Sequence, residues 1–178
     1  MRKNFIFFAL GILLMVNHSV SGQAIDIDQV KKAWENMAVM VVESARLMPA
    51  EHFDFSPIDP LRNFADQMNH TTRSNIGFGY AVKAGRPNFP VDPSKPPKEK
   101  AAVVDLLQKS FDYFGAGLQK LSTEELADMV PWGPRGNQRQ ISRLQAILIV
   151  MSHLQREHGK TMTYLRLKGI KPAQAGSW

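Results

Sequence analysis

The chain has 178 residues, the length of one ordinary domain, and a hydrophobic core can form at this length without disulfides or structural metals. It contains no cysteine, which excludes disulfide bonds and any thiol chemistry from its own side chains. The formal charge of +6 is spread as single lysines and arginines among acids, without the dense basic stripe typical of nucleic-acid-binding proteins, so we expect no nucleic-acid partner.

Residues 1–24 have the pattern of a secretory signal peptide. Arg2 and Lys3 precede the apolar run FIFFALGILLMV, and the small, polar stretch NHSVSGQA follows it. The apolar run is about 12 residues, short of the roughly 20 that a membrane-spanning helix needs, and no later stretch is long enough either. We therefore expect cleavage after Gly22 or Ala24 and a secreted or periplasmic domain of residues 25–178 without a membrane span. An uncleaved N-terminal anchor is the alternative.

The first predicted helix follows the signal and stops before Pro49. Either Asp26 or Asp28 can cap its first turn, because a short carboxylate accepts hydrogen bonds from unpaired amides. Its apolar residues recur mostly at intervals of three or four: Val30, Ala33, Trp34, Met37, Val41 and Ala45. The connector PAEHFDFSPIDP then holds three prolines, which makes it too irregular for a helix.

The second predicted helix runs from about Leu61 to Ala84. Its apolar positions form a face that His70 borders: Leu61, Phe64, Ala65 and Met68. The stretch GFGY weakens the helix near its end, because glycine costs about 1 kcal/mol relative to alanine.

The segment 85–97, GRPNFPVDPSKPP, has five prolines in 13 residues and cannot be a helix or a central strand. Fully extended, it spans about 43 Å, at about 3.3 Å per residue. A 24-residue helix is about 36 Å long. We therefore expect a long crossover connection along the bundle, with the second and third helices parallel.

The rest of the chain is predicted to be helical except for one loop. A third helix covers PKEKAAVVDLLQKSFDYFGAGLQKL, and STEELADMV opens with a capping box of Ser122 and Glu125 and forms a short turn. PWGPRGNQ is predicted to be a loop, and the fourth helix runs from about Arg139 to Lys168. No useful stretch alternates as a strand does, so the pattern predicts an all-α fold, a four-helix bundle.

Two histidines and a glutamate on the fourth helix are candidate metal ligands. His153 and Glu157 are four residues apart and so share one face. His158 is five residues along, about 140° around the helix from His153. A catalytic metal site needs a further ligand from another helix, and His70 is the other histidine within a predicted helix. Such a pair is more often an ordinary solvated pair, so the spacing alone does not decide.

Helical periodicity favours Glu157 over His158 as the inward group. Four residues advance a helix by about 400°, nearly back to the same face, whereas five advance it by about 500°. We expect Ala146, Ile149 and Val150 to face the bundle, and His153 and then Glu157 continue that stripe. A buried carboxylate needs a cation, a proton or an arginine partner, so an inward Glu157 points to a metal or to one of these.

Several segments together resemble the DinB-like family of metal-dependent four-helix bundles, which includes YfiT-like members. The segments are ESARLMPAEHFDFSP, RNFADQMNH, LLQKSFDYFGAGLQKLSTEEL and HLQREHGKTMTYLRLKGIKP, and the similarity covers about residues 28–174. In this family one histidine of the second helix and two histidines, four apart, of the fourth helix bind a divalent metal. The resemblance carries these roles onto His70 and His153.

The third ligand is where the chain departs from the family. Aligned without gaps, the last histidine of the family falls on Glu157, and His158 is one residue late. Three alternatives stay open: a site of two histidines and a carboxylate, a helix bulge that brings His158 inward, or loss of the metal. Lys160 stands where the family has glutamine. A carboxylate ligand makes iron, manganese or nickel candidates alongside zinc.

The resemblance implies hydrolase or thiol S-transferase chemistry on a small-molecule substrate. Export makes a cytosolic thiol cofactor an awkward partner, which favours hydrolysis. The alternative is a non-catalytic binding or dimerising bundle with a degenerate site, and a homodimer is one option for its assembly.

Overall fold

The computed structural model describes residues 25–134 and 136–173, so the predicted signal peptide lies outside the described residues. Its long elements are four helices: α1 (Ile27–Leu47), α2 (Phe64–Gly77), α3 (Lys100–Gln119) and α4 (Arg143–Leu167). They pack around a shared hydrophobic core, which confirms the predicted all-α four-helix bundle. Within the described part of the chain, none of the helices combines the length and the apolar character needed to cross a membrane.

The ends of α1 and α4 are set by side-chain caps. Asp26 accepts a hydrogen bond of 2.9 Å from the amide of Asp28 and starts α1, as one of the two predicted caps. Ser142 and Gln145 form a capping box at the start of α4. The expected start of the fourth helix at Arg139 is therefore wrong by four residues.

The helix α2 is shorter than the predicted helix from Leu61 to Ala84. Asn63 accepts a hydrogen bond of 2.8 Å from the amide of Asp66, which fixes the start at Phe64. Leu61 lies before this cap and is 51% exposed, so it does not belong to the buried face. After Gly77 the chain tightens into a 3-10 helix, Gly79–Val82, because the two glycines weaken the α-helix.

An antiparallel hairpin of β1 (Met129–Trp132) and β2 (Arg139–Ser142) precedes α4. The expectation of no strands was wrong here, and the predicted loop PWGPRGNQ overlaps β1 at Pro131 and Trp132. Each strand has four residues, and of these only the facing pair Val130 and Ile141 is buried, so the alternation is too short to recognise. Arg143 anchors the hairpin, since its guanidinium donates to the carbonyl of Ala81 (2.9 Å) and to the carboxylate of Asp128 (3.2 Å).

Aromatic rings form the part of the core where α1 meets α3. Trp34 is 2% exposed, and its ring stacks on that of Phe114 with centroids 4.1 Å apart. Its indole N–H donates to the carbonyl of Phe111 at 3.4 Å. Buried polar side chains, among them Gln67 and Glu157, meet where α2 faces α4.

Contacts between α2 and α3 advance in the same direction along both helices. Asn69 donates to the carbonyl of Pro97 (2.7 Å), just before α3, and Asn75 donates to the hydroxyl of Ser110 (3.1 Å) further along. The 3-10 helix after α2 then meets the end of α3, where a Cβ on Gly117 would be 2.7 Å from the carbonyl oxygen of Val82. This is the order of contacts in parallel helices. The path of segment 85–97 as a crossover stays a prediction.

Candidate metal centre

Three of the predicted metal ligands lie together where α2 faces α4. His70 comes from α2, and His153 and Glu157 come from successive turns of α4. Nε2 of His70 is 3.9 Å from Oε2 of Glu157, and Nδ1 of His153 is 3.9 Å from Oε1. One ligand atom from each residue lies within 4.8 Å of the others, so this group could hold a metal ion. We call His70, His153 and Glu157 the metal cluster.

Glu157 is the buried member of the metal cluster, with 2% of its side chain exposed. Burial by itself raises the pKa of Glu157, but hydrogen bonds to its carboxylate lower the pKa more, to about 2. Gln67 donates to Oε2 at 2.7 Å, and the Lys160 ammonium lies 2.9 Å from both oxygens. Arg156 donates to Oε1 at 3.3 Å. The carboxylate is therefore ionised at neutral pH, with its charge balanced by these cations.

The hydrogen bonds of His153 fix its neutral tautomer. A guanidinium can only donate, so Nδ1, which lies 2.8 Å from Nη2 of Arg156, must accept. Nε2 then carries the proton and donates to the hydroxyl of Ser74 at 3.1 Å. Ser74 in turn donates to the carbonyl of His70 at 2.9 Å. Burial, the largest cause, lowers the pKa of His153, so its Nδ1 offers a lone pair at neutral pH.

His70 is the more accessible histidine of the cluster, with 24% of its side chain exposed. Its ring centroid is 5.4 Å from that of His153, and the two rings are inclined at 72°. Burial lowers the pKa of His70, and the charge of Arg62 lowers it further, whereas the charge of Glu157 raises it. Two largely neutral imidazoles therefore face one carboxylate.

His158 lies on the other side of α4. It is buried, and its Nε2 is 3.0 Å from the hydroxyl of Ser44 on α1. Burial lowers the pKa of His158, which favours the neutral ring there. The structure thus places His158 between α1 and α4. His158, which was also a candidate metal ligand in the sequence, is therefore not a member of the metal cluster.

The buried face of α4 differs from the predicted one at one position. Ala146 and Val150 are fully buried, as expected, but Ile149 is 38% exposed and Ile147 is buried in its place. Since α4 contacts both α1 and α2, its buried face is wide enough to include adjacent residues. That width lets Glu157 and His158 both be buried and yet face different helices.

The metal cluster fits a divalent cation by its chemistry and its spread. Two imidazoles and a carboxylate suit zinc, iron, manganese or nickel. Bonds of about 2.1 Å place the ligand atoms of a tetrahedral ion about 3.4 Å apart, so the three side chains, whose ligand atoms lie within 4.8 Å of one another, need only close in slightly around an ion. Arg156 and Lys160 occupy the lone pairs that an ion would use, but 66% and 46% of their side chains are exposed. They can turn into water, so the site admits an ion when both cationic tips move away.

The sequence did not identify the polar side chains that hold the cluster in place. Gln67 and Ser74 lie three residues before and four residues after His70, on the same face of α2. That spacing is a weak signal, because polar residues are common on helix faces. Arg156 also contacts both His153 and Glu157, which only the folded helix shows.

A family model described as the DinB superfamily matches residues 29–162 of the chain. The matched range includes the three members of the metal cluster and His158. None of the curated proteins matches the chain.

Three solved structures share the fold. The chain resembles a DinB-like protein from Bacillus subtilis with a TM-score of 0.66 at 14% identity, covering 84% of this chain and 99% of the other. For a DinB-like protein from Bacillus cereus the TM-score is 0.68 at 11% identity, with 85% and 97% covered. For a conserved protein from Enterococcus faecalis it is 0.61 at 15% identity, with 79% and 95% covered. At such identities the likeness shows the fold alone.

Proposed function

This chain belongs to the DinB superfamily, and we propose that it is an exported, metal-dependent hydrolase whose divalent ion is held by His70, His153 and Glu157. The observation that carries the proposal is the convergence of these three side chains from two helices, with one ligand atom of each within 4.8 Å of the others. When bound, the ion would lower the pKa of a water molecule or polarise a substrate oxygen. Zinc, nickel, iron and manganese are the candidates.

Hydrogen bonds from neighbouring residues orient two of the cluster side chains for binding a cation. Gln67 orients the carboxylate of Glu157, and Ser74 accepts the Nε2 proton of His153, which leaves Nδ1 with a lone pair. Such outer hydrogen bonds fix ligand orientation in metal sites and typically contribute about 10- to 100-fold in affinity.

Hydrolysis is favoured over thiol transfer as the reaction class. A transferase would need a thiol from outside, because the chain has no cysteine. The expected export separates the protein from the cytosolic thiol pool, whereas water is available everywhere. The substrate is a small molecule.

One observation favours a second candidate, a non-catalytic binding or dimerising bundle with a degenerate site. Lys160 places its ammonium 2.9 Å from both oxygens of Glu157 and so supplies a positive charge to the carboxylate without a metal. Lys160 is also a residue at which the chain departs from the family pattern. Metal analysis separates the two candidates.

We expect the full chain, purified after growth with the four candidate metals, to carry about one divalent ion, by analogy with three-ligand sites. His70→Ala and His153→Ala should each lose it, because each leaves at most two protein ligands. The measurement is elemental analysis by mass spectrometry after gel filtration. His52→Ala is the matched control, since His52 lies in the 3-10 helix Ala50–His52 and is not a member of the cluster. Metal-free wild-type protein, or equal metal in all variants, would exclude the metal-dependent function.

Export is tested by the mass of the protein recovered from the native host. We expect the periplasmic or secreted form to begin at Gln23 or Ile25, after removal of the first 22 or 24 residues. Leu13→Arg is expected to keep the protein in the cytosol at full length, because a charge interrupts the apolar run. A wild-type chain that retains Met1, or that occurs only in the cytosol, contradicts the export proposal.

A further inference from the structure

A cavity of about 550 Å³ opens beside the metal cluster. It lies between α2, the 3-10 helix that follows α2, and the tip of the hairpin. The residues that line it are His70, Arg73, Ser74, Gly77, Phe78, Tyr80, Trp132, Gly133 and Pro134. His70 belongs to the metal cluster and Ser74 contacts His153, so a molecule in the cavity would reach the cluster directly.

One wall of the cavity is a row of aromatic rings. The rings of Phe78 and Trp132 stack with centroids 5.2 Å apart and planes at 11°. Tyr80, which is 42% exposed, continues the row outward, 6.2 Å from Trp132. On the inner side, the centroid of Phe78 is 6.0 Å from that of His153. The row thus leads from the surface to the cluster, and a flat apolar molecule can stack along it.

The charge around the cavity is positive. Arg73 lies one turn along α2 from His70, is exposed, and makes no ion pair in residues 25–134 and 136–173. Burial is the main cause that lowers the pKa of His70, and the charges of Arg62 and Arg73 lower it as well. The carboxylate of Glu157 is already balanced by Arg156 and Lys160. The guanidinium of Arg73 is therefore available to an anion.

A second cavity, of about 680 Å³ between α1 and α3, lacks this combination. Its lining includes both signs of charge, with Arg46 and Lys100 beside Glu99 and Asp105, and it contains no aromatic residue. None of the residues that line it belongs to the metal cluster. The cavity beside the cluster is thus the better candidate for a substrate site.

We propose that this cavity binds a small planar carboxylate, which stacks its flat face on Trp132 and pairs its carboxylate with Arg73. A single guanidinium among the lining residues balances one negative charge, so a monoanionic carboxylate fits better than a phosphate dianion. The inference deepens the proposed function by naming the substrate class of the same site. Binding itself needs only the cavity, whereas hydrolysis needs the metal as well.

The test is isothermal titration calorimetry of the full chain with two matched probes, naphthalene-2-carboxylate and its neutral amide. A charge-assisted hydrogen bond contributes about 1.5–3 kcal/mol, so the wild type should bind the carboxylate at least about tenfold more tightly than the amide. Arg73→Gln should remove this preference without affecting the fold, because Arg73 is exposed. Trp132→Ala should lower the affinity for both probes, and Trp132→Phe should lower it less, because phenylalanine keeps an aromatic ring.

Arg166→Gln is the matched control, since Arg166 is an exposed arginine of the last turn of α4 and does not line the cavity. Equal binding of the two probes, no binding of either, or an unchanged preference in Arg73→Gln would overturn the proposal. The titration is run on metal-depleted and zinc-loaded protein. If the chain prefers the carboxylate to the amide but never takes up metal, only the metal-dependent hydrolase is excluded. If it takes up metal but binds both probes equally, only the proposed substrate class is excluded.

Discussion

Glu157→Ala is expected to abolish metal binding, whereas His158→Ala is expected to leave it intact. Glu157 contributes the carboxylate that lies 3.9 Å from both histidines of the cluster, whereas His158 contacts Ser44 on the far side of α4. Groups that only hydrogen-bond a metal ligand are worth about 10- to 100-fold in affinity, so loss of a ligand should cost more than about 100-fold. Zinc titration of the apo-protein against a chromophoric chelator measures this.

Two controls separate ligand loss from misfolding. Glu157→Gln removes the charge but keeps the size of the side chain and a carbonyl acceptor for Gln67, so it should fold and still fail to bind metal. Ser44→Ala removes the hydrogen-bond partner of His158, and it should lower stability by about 1 kcal/mol and leave metal binding unchanged. If His158→Ala empties the site and Glu157→Ala does not, the cluster is not the metal site.

The sequence predicts a helix well where apolar residues repeat over several turns and a capping residue marks its end. The apolar stripe of α1 and the cap at Asp26 are both visible in the sequence, and Trp34 is buried as its place on that stripe implies. At α4 the apolar-periodic stretch begins before the helix does, so periodicity alone placed the start too early. The cap at Ser142 decides the start, and the hairpin before it uses the preceding residues.

The site was predictable only in part, because its residues depend on different kinds of information. Helical spacing joins His153 to Glu157, whereas His70 was chosen because the chain resembles a family. Helical periodicity also favours Glu157 over His158 on the face of His153. The contact of His158 with Ser44 and the exposure of Ile149 depend instead on which helices pack on either side of α4. The cavity could not be predicted from the sequence, because part of its lining belongs to the hairpin, whose strands are too short to recognise.

The same contacts that leave room for a metal also make a prediction for the metal-free protein. Lys160, Arg156 and Gln67 hold the carboxylate of Glu157 through hydrogen bonds, and they lower its pKa from the usual 4.5 to about 2 despite burial, which acts in the opposite direction. A folded-state pKa below the unfolded value stabilises the fold at pH values above the unfolded pKa. The contribution is lost as the pH falls through 4.5 towards 2.

In chelator-treated protein, we expect Glu157 to contribute about 3 kcal/mol at neutral pH, of which about 2 kcal/mol is lost by pH 3, since one pKa unit corresponds to about 1.4 kcal/mol. Urea unfolding of the wild type and of Glu157→Gln at a series of pH values between 7 and 3 measures this. The gap between their free energies of unfolding should narrow as the pH falls. Glu51→Gln is the matched control, because Glu51 is exposed and has no ion-pair partner in the described part of the chain.

Lys160→Met, which keeps an unbranched side chain one atom shorter and without the charge, should reduce the pH-dependent gap, because the ammonium that contacts both carboxylate oxygens is gone. The same substitution removes a cation that a metal must displace, so it should also tighten zinc binding. A difference in unfolding free energy between the wild type and Glu157→Gln that stays constant from pH 7 to pH 3 would show that the neighbours do not hold the carboxylate ionised. The buried, charged Glu157 of the metal cluster would then be contradicted. If the gap narrows and Lys160→Met binds zinc more tightly, Lys160 acts as the resident cation of the metal-free protein, and metal binding proceeds by exchange of one cation for another.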